Sequence, residues 1–229
     1  MKRHLKIIYI FILPICLVVF SLMLRDSKGP YFLNVHYDPG YVYFVNSLNL
    51  AQLNDYGVGF IDHPGIPLQV FGAVVLKTFH NNNSDLALDV LSRPDFYMNC
   101  INSTLIFLNA FTLLLFGWFV YKIFNSIILS VFFQLTPFSS FNTFYELSDV
   151  SAENFLLMFY ILMILLSFKY LESLKNSNKS NDILYLFGFS LITGIGIATK
   201  LNFFPFVIIP LVLFGKLRFK ISYLITSFI

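Results

Sequence analysis

The sequence predicts an all-α polytopic membrane protein, and three observations carry the prediction. Charged residues make up 12% of the 229-residue chain and hydrophobic ones 57%, where a soluble domain carries roughly 25% charged residues. Mean hydropathy is +0.74. Apolar runs close to the ~20 residues that cross a bilayer recur between short polar breaks. With 29 Phe and 13 Tyr added to the aliphatic residues, a globule of this size could not bury its apolar surface, which excludes a cytosolic enzyme. Two cysteines, one of them (Cys16) inside an apolar run, exclude a disulfide-built secreted domain. A net charge of +3 gives no basic footprint for nucleic acid, and the hydropathy excludes a disordered chain.

The chain reads as a single transmembrane module over residues 1–229. Lys2, Arg3, His4 and Lys6 precede an apolar run from Ile7 to Leu24. A signal-peptide core is about 7–15 residues long and ends at a small-residue cleavage site. This run has 18 residues and ends in Leu22-Met23-Leu24-Arg25, so it is a first span (about 7–24), kinked near Pro14. Further spans are expected at about 96–121, 123–138, 152–170, 183–199 and 201–217. Asn99, Asn102 and Asn109 interrupt the second and suit hydrogen bonds between helices. The closing run, residues 221–229, is half a spanning helix and reads as a partial seventh span in an N-terminal fragment of a longer protein.

Lysine and arginine set the expected orientation. With the N-terminus cytoplasmic, 10 of the 15 fall on the cytoplasmic side, while 10 of the 12 acids fall outside. The outer face is dominated by a long loop, 25–94, and connections of that length are usually functional. After Asp38-Pro39-Gly40, the residues Tyr41, Phe44, Val45, Leu48 and Ala51 share one helical stripe, which predicts an amphipathic helix lying on the membrane. Pro67–Phe79 is a second helix, too short to span, with Pro67 in its first turn. Both interfacial helices are expected to pack over the outer ends of the spans.

Two stretches of this loop carry a resemblance. An Asp soon after the first span (Asp38), a Tyr three residues on (Tyr41), an apolar helix and then Asp62-His63-Pro64-Gly65 resemble the first external loop of GT-C glycosyltransferases. They are most similar to the protein mannosyltransferase and lipid A aminoarabinose transferase branch, whose loop reads Asp-Glu-x-x-Tyr and later Asp/Glu-His/Lys-Pro-Pro. The run Gly194-Ile195-Gly196-Ile197-Ala198-Thr199-Lys200 resembles that family's Gly-rich fifth helix ending in Thr-Lys. Glu153, within Ser148-Asp149-Val150-Ser151-Ala152-Glu153, matches an acid at the outer start of the fourth. Pro39 replaces the family's second acid and Gly65 its second Pro. The resemblance implies a GT-C-like N-terminal transmembrane module and an enzyme of a bacterial or archaeal cell membrane. Such enzymes move a sugar from a polyprenyl-phosphate donor to a glycan, lipid or protein acceptor on the non-cytoplasmic face.

The residue types suit that task. An acceptor hydroxyl is a poor nucleophile, and a carboxylate that takes its proton contributes roughly 10²–10⁴-fold. The resemblance gives this role to Asp38, with Asp62 as the second catalytic carboxylate. It makes His63 a donor to the leaving phosphate, with Lys200, Tyr41 and Glu153 as further substrate- or donor-binding positions. Each has a plainer alternative. Asp38 could cap the helix that follows, Asp62 could be an N-cap beside an exposed His63, and Lys200 could snorkel from a helix end. Glu146, Asp149 and Glu153 could hold a divalent ion with the carrier phosphate, or form a solvated acidic turn. A transporter or flippase of lipid-linked sugars is the competing function, and an inactive transferase fragment a third. Transporters place ionisable groups within their spans, whereas these apolar runs carry almost none.

Overall fold

The computed structural model describes residues 2–33, 40–53, 65–80, 85–175 and 182–228, with side chains from residue 8 onward. In chain order the helices are α1 (Lys2–Ser27), α2 (Gly40–Leu53), α3 (Ile66–Phe79), α4 (Leu86–Ser92), α5 (Pro94–Phe124), α6 (Ile127–Gln134), α7 (Phe141–Leu147), α8 (Asn154–Lys175), α9 (Asp182–Thr199), α10 (Ile208–Leu213) and α11 (Leu217–Ser227). No strand occurs among the described residues. Four helices are long and apolar enough to cross a membrane: α1 over Ile8–Ser27, α5, α8 and α9. The chain is thus an all-α membrane protein. On α1, Ile8, Ile15 and Met23 are each more than half exposed at 58%, 59% and 63%, an outer face that hydrocarbon rather than water would cover.

The longest helix, α5, is the axis of the bundle and runs about 46 Å at 1.5 Å per residue. Pro94 supplies its first turn, where no backbone N–H is needed. Antiparallel α1 is pinned to it through Gln134 on α6, whose Nε2 donates to the carbonyls of Ile10 and Leu113, both at 3.0 Å. At the far end of α1, Arg25 reaches the Ser148 carbonyl at 3.3 Å. Helix α8 runs parallel to the second half of α5, with Phe168 against Phe119 and Phe124. Helix α9 returns beside α8, Tyr185 donating to the Lys169 carbonyl at 3.2 Å.

Two expected spans are built differently. No single helix covers 123–138. Helix α5 continues through Lys122 and stops at Asn125, whose left-handed φ of 48° ends it. Ser126 then caps α6 by accepting from the Leu129 N–H at 3.3 Å, and α6 closes after eight residues in a 3₁₀ turn holding Pro137. Residues 201–217 likewise form a 3₁₀ helix, Leu201–Val207 with Pro205 inside, followed by the six-residue α10. The tighter 3₁₀ winding rises 2.0 Å per residue, so these two pieces together cover about 23 Å. Ring contacts follow α8 along its length, Phe206 on Tyr160 at 4.4 Å and Phe214 on Tyr170 at 5.3 Å. Helix α11 lies against α9, Thr193 bonding Tyr223 at 2.8 Å.

In the long loop, α2 and α3 pair with each other, and α3 rests on α5 and α9, with Phe71 meeting Phe155 at the start of α8 edge-on at 5.4 Å. Pro67 occupies the first turn of α3, as its fixed φ favours. The expected stripe of α2 is only half right. Phe44, Leu48 and Ala51 are buried at 3%, 4% and 5%, but Tyr43 and Ser47 join them, while Tyr41 and Val45 face outward. The buried face is rotated because α3 packs closely on it: Gly72 leaves no room for a Cβ beside Ser47.

Candidate functional site

Of the seven residues 148–154, which carry Asp149 and Glu153 of the possible acidic turn in solvent, all but Glu153 are buried inside the bundle. Ser148 and Ser151 have no exposed surface, Asn154 keeps 2% and Asp149 3%. Irregular backbone at such depth needs partners for its polar groups, and α5 supplies them. Asn102 Nδ2 donates to the carbonyls of Leu147 (3.0 Å) and Asp149 (2.7 Å), and Asn109 Nδ2 to that of Asn154 (2.8 Å). Asn154 Nδ2 adds a bond back to the Asp149 carbonyl at 2.7 Å. Asn102 and Asn109 thus serve the bonds between elements that their position suggests, whereas Asn99 is exposed. Asn109 stands 15 residues from either end of α5, so the segment enters α8 halfway along the longest helix.

The three acids of the segment turn to different partners. Glu146 accepts from Ser151 Oγ at 3.0 Å. Asp149 lies 3.8 Å from Lys28 Nζ and accepts from the Val150 N–H at 2.9 Å. Lys28 also donates to the Tyr145 carbonyl at 3.0 Å and sits over that ring; burial pushes its ammonium below the ordinary lysine range, with Asp149 opposing the shift. Glu153 pairs with Lys200 at 2.6 Å, the two side chains keeping 21% and 15% of their exposure. Its other oxygen, Oε2, is buried with no hydrogen bond among the described residues. No group of three His, Cys, Asp or Glu positioned for a metal ion occurs among the described residues, so the divalent-ion reading of Glu146, Asp149 and Glu153 has no assembled ligand set.

Beside this segment lies a cavity of about 320 Å³, walled by Thr136, Asn142, Thr143, Glu146, Glu153, Asn154 and Tyr160 among others. Glu153 and Lys200 are brought together, and Lys200 is tied to an acid rather than extended as a snorkelling side chain. Tyr41 is 61% exposed on the first turn of α2. Asp38, Asp62 and His63 lie outside the described residues. Gly40 packs on Asp149 and Val150, where a Cβ would stand 2.9 Å from the Val150 carbonyl oxygen, and Gly65 packs on the Tyr43 ring, one turn along α2. Sequence reasoning did not single out Arg25, Lys28, Asn142 or Tyr160 for this region.

A second polar cluster closes the turn between α3, α4 and α5. Asp89 meets His80 Nδ1 at 3.1 Å and accepts from Tyr97 and Arg93. The Tyr97 and Arg93 hydrogen bonds, in that order, hold its carboxyl down at about 2. A carboxylate depressed in the folded state contributes stability above its unfolded value near 4 and loses it as pH falls towards 2. Asp89→Asn should therefore melt lower than the native chain at pH 7 and show no such difference near pH 2, a comparison that thermal unfolding in detergent makes directly.

No known protein family, characterised protein or solved structure matches the chain.

Proposed function

We propose that the chain is a membrane glycosyltransferase of GT-C type, moving a sugar from a polyprenyl-phosphate donor to an acceptor hydroxyl on the non-cytoplasmic face with inversion. The observation that supports this reading best is a convergence. Gly40, two residues beyond Asp38, packs on Asp149 and Val150, and Gly65, two residues beyond His63, packs on the Tyr43 ring one turn further along α2. The cavity bordered by Glu146 and Glu153 opens at the same segment. In this reading the acceptor oxygen attacks the anomeric carbon while the bond from that carbon to the phosphate oxygen breaks. Asp38 takes the acceptor proton, and polyprenyl phosphate leaves with the bonding pair, met by His63 and Lys200. Asp62 orients His63, Glu153 fixes the Lys200 ammonium, and Tyr41 lines the acceptor's approach. Lys122, Lys169 and Lys175 gather at the opposite end of α5 and α8, which the positive-inside tendency assigns to the cytoplasm.

One observation favours the second reading, a carrier of lipid-linked sugars. The Glu153–Lys200 pair adjoins the midpoint of α5, and ion pairs at such depth mark transport pathways. Full-length protein in vesicles, supplied with a panel of polyprenyl-phosphate hexoses labelled in the sugar, separates the two. Transfer releases free polyprenyl phosphate in an acceptor-dependent manner. Transport moves the intact labelled lipid between leaflets and releases none. Absence of both rejects both readings.

A further inference from the structure

The Lys122 end of the bundle holds a larger cavity, about 760 Å³, between the last turns of α5 and α8. Its floor is aromatic, with Trp118, Phe119, Phe124 and Phe168, and its rim carries Lys122, Lys169 and Lys175 against a single acid, Glu172. Two of the lysines lean over the floor: Lys122 Nζ lies 5.0 Å from the Trp118 ring and Lys169 Nζ 5.5 Å from that of Phe119. The Lys169–Glu172 pair, at 3.9 Å with both side chains more than half exposed (57% and 59%), holds neither charge firmly. The floor is continuous with the outward face of the helices, Phe124 being 44% exposed and Trp118 40%.

We propose that this groove binds the phosphate-bearing headgroup of an anionic membrane phospholipid. The two halves of the groove ask for different things from one molecule. The rim carries an excess of two positive charges, which a phosphate answers. The floor needs apolar contact, which acyl chains beside the headgroup supply and a soluble anion does not. The groove also lies where two apolar helices end, the depth at which headgroups sit and at which lysines held over aromatic rings present their ammonium groups. Basic pockets between such helix ends suit anionic lipid heads, each lysine near the surface contributing about a fivefold preference. This inference is independent of the transferase reading.

Trp118 is the sole tryptophan of the chain, so its emission reports on this groove alone. The full chain is placed in phosphatidylcholine vesicles containing increasing fractions of phosphatidylglycerol with brominated acyl chains, or of brominated phosphatidylcholine. Bromine quenches on contact. The expected result is half-maximal quenching at an anionic-lipid fraction lower by at least about fivefold, the preference one lysine supplies. Lys122→Gln, Lys169→Gln and Lys175→Gln together should abolish the difference while leaving quenching by phosphatidylcholine unchanged, which also reports that Trp118 keeps its place. Should that triple variant lose its place, Glu172→Gln, which removes no cation, should widen the difference and decides alone. Equal quenching by both lipids in the native chain, a preference that survives the three substitutions, or its reversal by soluble glycerol phosphate each overturns the proposal.

Discussion

Lys200→Met alone should destabilise the protein by up to about 3 kcal/mol, the low end for breaking a buried pair because the cavity keeps water within reach. The cost arises from what is left behind. Glu153 stands at the wall of an otherwise largely apolar cavity, with Oε2 already buried and unbonded among the described residues. Losing the ammonium 2.6 Å from its partner oxygen strands the carboxylate. Glu153→Gln should also lower stability by taking the carboxylate away from the ammonium it meets, and the double variant Glu153→Gln/Lys200→Met should recover part of the loss of Lys200→Met, since no stranded carboxylate remains. Urea or thermal unfolding of the four proteins in detergent gives the coupling directly. The double variant then separates architecture from chemistry. If the pair only holds α8 to the end of α9, a refolded double variant keeps activity. If Lys200 also meets donor phosphate, it is stable and fails to engage donor. A Lys200→Met protein as stable as the native chain would remove the pair from the architectural role.

What the sequence made legible follows from which forces are local. Helices α1, α5, α8 and α9 announce themselves because length and apolarity are properties of a single stretch, and Pro67 marks the first turn of α3 because its fixed φ acts on its own residue. The division of 123–138 was hidden. A left-handed Asn125 and a capping Ser126 are ordinary residues in an apolar context, and hydropathy averages across them. Residues 201–213 hid for the opposite reason: the stretch around Pro205 winds more tightly, yet the segment still keeps pace with α8. The hardest feature was the burial of 148–154, since Ser, Asp and Asn in a short turn resemble solvated surface. The signal lay elsewhere, in Asn102 and Asn109. Seven residues apart, they share one face of α5, and their amides needed acceptors that no regular neighbouring helix could spare. The same two asparagines explain how Glu153 reaches the interior, and so why counting ionisable residues within the apolar runs underestimated the charge held inside the bundle. Asp38, Asp62 and His63 remain readings of the loop motifs alone.

The transferase proposal makes its largest demand on Asp38. In an active preparation, Asp38→Asn should lower turnover by roughly 10²–10⁴-fold, the range that a positioned base contributes, with donor binding nearly unchanged. The amide keeps the size and hydrogen-bonding reach of the carboxylate and loses its basicity, so an effect on turnover alone isolates proton transfer. His63→Ala should behave differently. A group that meets the departing phosphate contacts the donor in the ground state as well as in the transition state, so its removal weakens donor engagement together with rate. The plainer role for Asp38, capping α2, makes the opposite prediction. Asparagine is as good a cap as aspartate, so a capping Asp38 would tolerate the substitution with near-normal transfer. Comparing turnover and unfolding of Asp38→Asn with those of Asp38→Ala distinguishes the two. A base loses activity in both variants and stability in neither, whereas a cap loses stability in the alanine variant alone. The position of Gly40 makes the comparison sharp. That glycine packs against the Val150 carbonyl with no room for a side chain, so packing contributes to holding the start of α2 whichever role Asp38 has.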